Sequence, residues 1–254
     1  MAKIERARGM STGADYSADQ IFNDSQYASM VSDTLTDDNG TIVRPVRRQG
    51  APHFRVLGRK VSITDIERNA ASPAHNAAVA AITQMLRDQS RALNFYTRIF
   101  DENGNTVEQR LFAAPVGNHR VWFTENTILF DDFVRIRPDI SGRDASIFAA
   151  TGQRPAIIIE VIETHPPEAE TLARLFQLSR MAHQVYFFSL VGKRAHLAYR
   201  YNSATAGDRV VRVRITYCLI NGDLMKNGEL IELKHEDPLL RAAEALPKLS
   251  CLVN

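Results

Sequence analysis

The chain has 254 residues, 44% hydrophobic and 24% charged, which suits one globular domain with a sizeable core plus an extension. Its formal net charge is only +2, so nucleic-acid binding would need clustered arginines, because bulk charge does not supply it. Two cysteines without CxxC spacing exclude a disulfide framework and a cysteine zinc site, and the absence of a signal-like start or a membrane-length apolar run leads to the expectation of an intracellular, cytoplasmic protein without a membrane partner.

Residues 1 to 48 are polar and lack sustained periodicity, and they read as an arm that is disordered or ordered only against a partner protein. Gly9-Met10-Ser11-Thr12-Gly13 matches the nucleophile pattern G-x-S-x-G, but the residues before it form no buried strand, so the match is read as chance. A nuclease-like core is expected over 49 to 192, opening with a short hairpin of His53 to Leu57 and Val61 to Ile63. Ser72 as cap, Pro73 at the first position and the stripe Ala78, Ile82, Met85 and Leu86 predict a helix running to about Arg91. Leu93 to Phe100 and Val107 to Ala113 predict a hairpin around Asp101 to Asn105, and further strands follow over 119 to 124 and 128 to 136, the last ending at Asp139.

Ala156 to Ile162 is β-branched and apolar except for Glu160, which predicts a central strand covered on both faces with one costly carboxylate in it. A helix after Pro166-Pro167 and a strand over 184 to 191 complete a β-α-β crossover, hence a parallel pair in a mixed sheet. Residues 193 to 254 read as a mainly antiparallel extension with turns at Asn221-Gly222 and Asn227-Gly228, closed by a helix capped at Asp237.

Arg137-Pro138-Asp139 and Glu160-Val161-Ile162 resemble the PD-(D/E)xK nuclease motif. The opening Ser72-Pro73-Ala74-His75 with its hairpin, and the stretch from Ile159 to Pro166, are similar to competence CoiA-like members of that restriction-endonuclease-like group, over roughly residues 70 to 192. The resemblance implies an α/β (α+β) fold, a mixed sheet flanked by helices, and Mg²⁺ or Mn²⁺ held by Asp139 and Glu160 for cleavage of DNA, with RNA as a further partner. His75 resembles a family position beside that site. The departure is Ile162, which stands where the family has Lys or, in CoiA-like members, often Gln.

Plainer readings stand beside these. Glu160 can pair with Arg135 or Arg137, Asp139 can serve a turn, Glu163 can be a solvated strand-end charge, and His75 or His165 can be packing or loop-fixing residues. Arg174 on the second helix is a candidate to replace the lost Lys electrostatically. Arg209, Arg212 and Arg214, with Arg194 and Arg200, are candidates for a phosphate-binding track or, equally, a solvated face. The expected function is therefore a metal-dependent nuclease, and its alternative a catalytically inactive nuclease-fold protein that binds nucleic acid or assembles with a partner.

Overall fold

The computed structural model describes residues 4–38, 42–56, 64–65, 71–132, 134–190 and 202–251. The chain is a mixed α+β protein in two compact units, residues 1–63 and 64–254.

In the first unit, β1 (Arg6–Gly9), β2 (Asp15–Ser17), β3 (Leu35–Thr36), β4 (Ile42–Val46) and β5 (His53–Val56) form a sheet in the order β2-β1-β3-β4-β5. A 3₁₀ turn (Ala18–Phe22) and α1 (Asp24–Ser32) contribute Ile21 and Met30 to a core with Ala7, Tyr16, Leu35, Val43 and Phe54. Where polar composition predicts an arm without structure of its own, these residues fold. Their strands are two to five residues long, too short to show a period in the sequence. The expected partner of β5 over Val61 to Ile63 lies outside the described residues.

The second unit begins with β6 (Thr64–Asp65) and α2 (Pro73–Arg87), followed by β7 (Ala92–Phe100) and β8 (Thr106–Ala114). Ser72 caps α2 through its side chain, with Pro73 at the first position, as expected. The Asp88 carboxylate accepts the Ser90 amide in a local turn, which ends the helix before Arg91. Then come β9 (Arg120–Thr124), β10 (Ile128–Leu129), β11 (Val134–Ile136), β12 (Ile140–Asp144) and β13 (Ala156–Ile162). After α3 (Ala169–Ser179) run β14 (His183–Ser189), β15 (Ser203–Ala206), β16 (Val210–Arg214), β17 (Tyr217–Ile220), β18 (Asp223–Lys226) and β19 (Glu229–Leu230), and α4 (Pro238–Ser250) closes the chain.

Among the described residues, a seven-stranded sheet has the order β19-β18-β17-β14-β13-β12-β9, and a four-stranded sheet the order β15-β16-β7-β8. Strands β13 and β14 pair in parallel across α3, as the crossover predicts. The C-terminal stretch expected as a mainly antiparallel extension is shared between the two sheets. It divides at Ile215-Thr216, so that β16 joins β7 in parallel while β17 joins β14 in the other sheet.

Strand β13 sits between two apolar clusters. Ile157, Ile159 and Val161 face α2 and the four-stranded sheet, where Phe95 stacks on Tyr186 at 5.0 Å between ring centres. Ile158 and Ile162 face α3 and α4. The alternation of a strand puts Glu160 in this second series. No helix among the described residues is long and apolar enough to cross a membrane.

Candidate active site

Pairing register lines up three acids at one end of the seven-stranded sheet. Ile140 lies opposite Ile159 of β13 and opposite Thr124 of β9. One step back along β12, the same registers set Asp139 opposite both Glu160 and Glu125. The Glu125 amide donates to the Asp139 carbonyl at 3.2 Å, continuing the ladder by that pair. Asp139 therefore precedes β12 and does not end a strand. Pro138 has no N–H to donate and holds Arg137 extended, which separates β11 from β12 at this point.

Asp139 is 3% exposed and Glu160 4%, so each carboxylate needs polar company. Oδ2 of Asp139 accepts the Val161 amide at 2.8 Å and lies 3.2 Å from Nε2 of His75. His75 is held there by the cap of its own helix. Ser72 Oγ accepts the His75 amide at 3.1 Å and donates to Oε2 of Glu163. The end of β13 is thus tied to the start of α2, and Glu163, expected as a solvated charge, is a hydrogen-bond acceptor in that tie.

These groups line a cleft of about 380 Å³ that also receives Glu125, Arg137, Thr164, His165 and, from the start of α3, Glu168 and Thr171. Two helices thus begin at the cleft, and their amino ends favour negative charge there. Glu125 stands at φ 50°, in the left-handed region uncommon for residues with a Cβ. Nothing in the sequence around Thr124-Glu125-Asn126 signals either this conformation or the acid's place beside Asp139. Ser72 was legible as a cap but not as a bridge to Glu163.

Ile162 shares a strand face with Glu160, is 1% exposed, and belongs to the apolar cluster with Leu172, Phe176 and Val185. The position where the resemblance expects a lysine is therefore filled with hydrocarbon. Among the described residues of the cleft, Arg137, His75 and His165 are the groups able to carry positive charge. Nδ1 of His165 lies 2.8 Å from Thr164 Oγ1.

The remaining candidates lie elsewhere. Arg174 pairs with Asp132, donates to Gln177 and covers the Phe130 ring, lining a second cleft beside β10. It is not among the residues lining the cleft of Asp139 and Glu160. Arg209 precedes β16, and Arg212 and Arg214 lie on the β16 face opposite Val211 and Val213, which enter the core. They belong to the four-stranded sheet and none of them lines the acid cleft. Arg194 and Arg200 are outside the described residues.

The donor set suits a hard divalent cation. Carboxylate oxygens are Mg²⁺ ligands, and Mg²⁺ keeps several waters and needs only one or two carboxylates from a protein. Among the described residues, no three carboxylate, imidazole or thiolate groups converge in metal-binding geometry, so the pair Asp139 and Glu160 is the candidate. Compared with known protein families, with curated proteins and with solved structures, the chain matches none.

Proposed function

We propose that the cleft is the active site of a metal-dependent phosphodiesterase of the PD-(D/E)xK kind, acting on DNA, with Asp139 and Glu160 as ligands of Mg²⁺ or Mn²⁺. One observation supports this above others: two buried acids stand opposite each other in register and line one open cleft, with His75 on the Asp139 carboxylate. When bound, a divalent ion there would lower the pKa of water and stabilise charge on the phosphoryl oxygens. His75 and the Val161 amide fix the Asp139 carboxylate, leaving its direction set before a ligand arrives. His165, lining the same cleft, would meet the phosphate or supply a proton to the leaving oxygen.

The buried Ile162 favours the second reading, a nuclease-fold protein that binds nucleic acid without cutting it, because no lysine projects from that position to orient a nucleophile. Cleavage of labelled DNA and RNA with Mg²⁺ or Mn²⁺ separates the two. The active-site reading expects cutting by the wild type and a loss of at least about 100-fold in Asp139→Asn and in Glu160→Gln, a scale typical of removing one electrostatic group from a catalytic site. A folded wild type inert on all substrates supports the binding reading.

A further inference from the structure

We propose that the outer face of the four-stranded sheet is a binding surface for single-stranded nucleic acid, with Arg98 and Arg110 as phosphate contacts and Phe100 as a base-stacking platform. Side chains of β7 alternate across the sheet, so Leu93 and Phe95 enter the core while Tyr96, Arg98 and Phe100 share the other face. Register brings Arg110 opposite Tyr96 on one side and Arg214 opposite it on the other, with Glu108 opposite Arg98. Four guanidinium groups, Arg98, Arg110, Arg212 and Arg214, thereby meet on one face.

Their surroundings support the grouping. Arg212 pairs with Glu108 and lies 4.7 Å above the Tyr96 ring. Burial pushes the Arg214 guanidinium below its ordinary range, and the like charge of Arg98 adds to this. Glu108 is the one acid that the described residues of these strands place on the face. An excess of positive charge held close together is a cost to the free protein that a polyanion removes.

Phe100 selects among polyanions. It is 70% exposed, two residues from the exposed Arg98 on the same face. An aromatic ring open to solvent beside arginines offers a stacking surface to an unpaired base, which the bases of a duplex do not present. Every base has such a face, so the binding is expected to be tolerant of sequence. The choice of nucleic acid over other polyanions rests on the nuclease reading; the surface itself does not touch the acid cleft.

The test is fluorescence anisotropy of labelled single-stranded and duplex DNA with the full chain, in EDTA so that cleavage plays no part. Salt is titrated for the wild type, Arg98→Gln/Arg110→Gln and Phe100→Ala, with thermal unfolding as the check on folding. The double variant should lower the salt slope by roughly 0.7 for each phosphate it no longer neutralises. Phe100→Ala should weaken single-strand binding by roughly 5- to 150-fold, the range of one base–aromatic stack, leave the salt slope unchanged and hardly affect duplex. An unchanged slope in the folded double variant overturns the proposal. So does equal loss on duplex and single strand in Phe100→Ala, or binding to anionic phospholipid vesicles without binding to oligonucleotide. Because anisotropy in EDTA reads binding without cleavage, a dead cleavage site leaves these results unchanged and a wrong binding face does not.

Discussion

One carboxylate oxygen of Asp139 takes the Val161 amide and the His75 imidazole together. Truncating it leaves a buried amide without its acceptor, so Asp139→Ala should cost about 1–3 kcal/mol, whereas Asp139→Asn keeps a carbonyl for that amide and should cost less. Denaturant titration of both variants checks this; equal, negligible losses would mean the bond contributes nothing. Asp33 shows the same chemistry at a solvated place. Hydrogen bonds from Thr12 and Ser11, the largest from the Thr12 side chain, hold its carboxyl down to about 2. A depressed carboxyl stabilises the fold above the unfolded value and loses that contribution as pH falls through the folded one. Acid unfolding of the first unit should therefore include a component between about pH 4 and 2 that disappears in Asp33→Asn. The same contact explains the loop of Gly9 to Gly13: a Cβ on Gly9 would stand 2.3 Å from Asp33 Oδ2. Contrary to expectation, Arg6–Gly9 before the motif is a half-buried strand, but it turns back into β2 and not into a helix, so the strand-to-helix turn that the nucleophile pattern needs is not formed there. Cysteine reactivity is a further residue-level expectation. Burial pushes the Cys218 thiol up to about 12, while Cys251 is exposed, so a thiol reagent should label one cysteine quickly and the other only on unfolding.

Elements with a strong local signal were legible: α2 from Ser72-Pro73 and its stripe, the β7–β8 hairpin from Asp101 and Gly104, and β13 from its β-branched run. Strand β12 was not, because Ile140-Ser141-Gly142-Arg143-Asp144 has weak strand propensity and exists through its neighbours β9 and β13. Gly142 shows why the sequence is nonetheless fixed there: a Cβ would meet the Trp122 ring at 2.4 Å. Gly142→Ala should cost about 1–3 kcal/mol by overpacking, and a variant as stable as wild type would show that the ring moves aside freely. The division of β16 from β17 was hidden for another reason. Ile215 and Thr216 continue the β-branched pattern without a Gly or Pro, and only the two separate pairings reveal the switch of sheet. Of the cleft residues, Asp139 and Glu160 were legible as a pair of acids at a spacing and His75 only through the resemblance, while Glu125 and Glu163 depended on cross-strand register and on a cap, neither of which a single sequence displays.

At the scale of the molecule, each unit has its own core. The first cluster draws on residues from Ala7 to Phe54, whereas the other two draw on Val79 to Leu249. Unfolding followed by calorimetry should then show two transitions, with the smaller unit the less stable because fewer apolar side chains leave water; a single two-state transition would make the units one cooperative body. Both flanking clusters of the second unit converge on β13, whose buried Glu160 lies between cluster residues and lines the cleft together with Asp139. The most direct measurement of that role is Mn²⁺ binding by titration calorimetry to the wild type, Asp139→Asn, Glu160→Gln and the double variant. Shared ligation predicts one site, weakened at least about 10-fold by either substitution, with the double variant little worse than each single one; no binding by the folded wild type, or binding untouched by both substitutions, would contradict it.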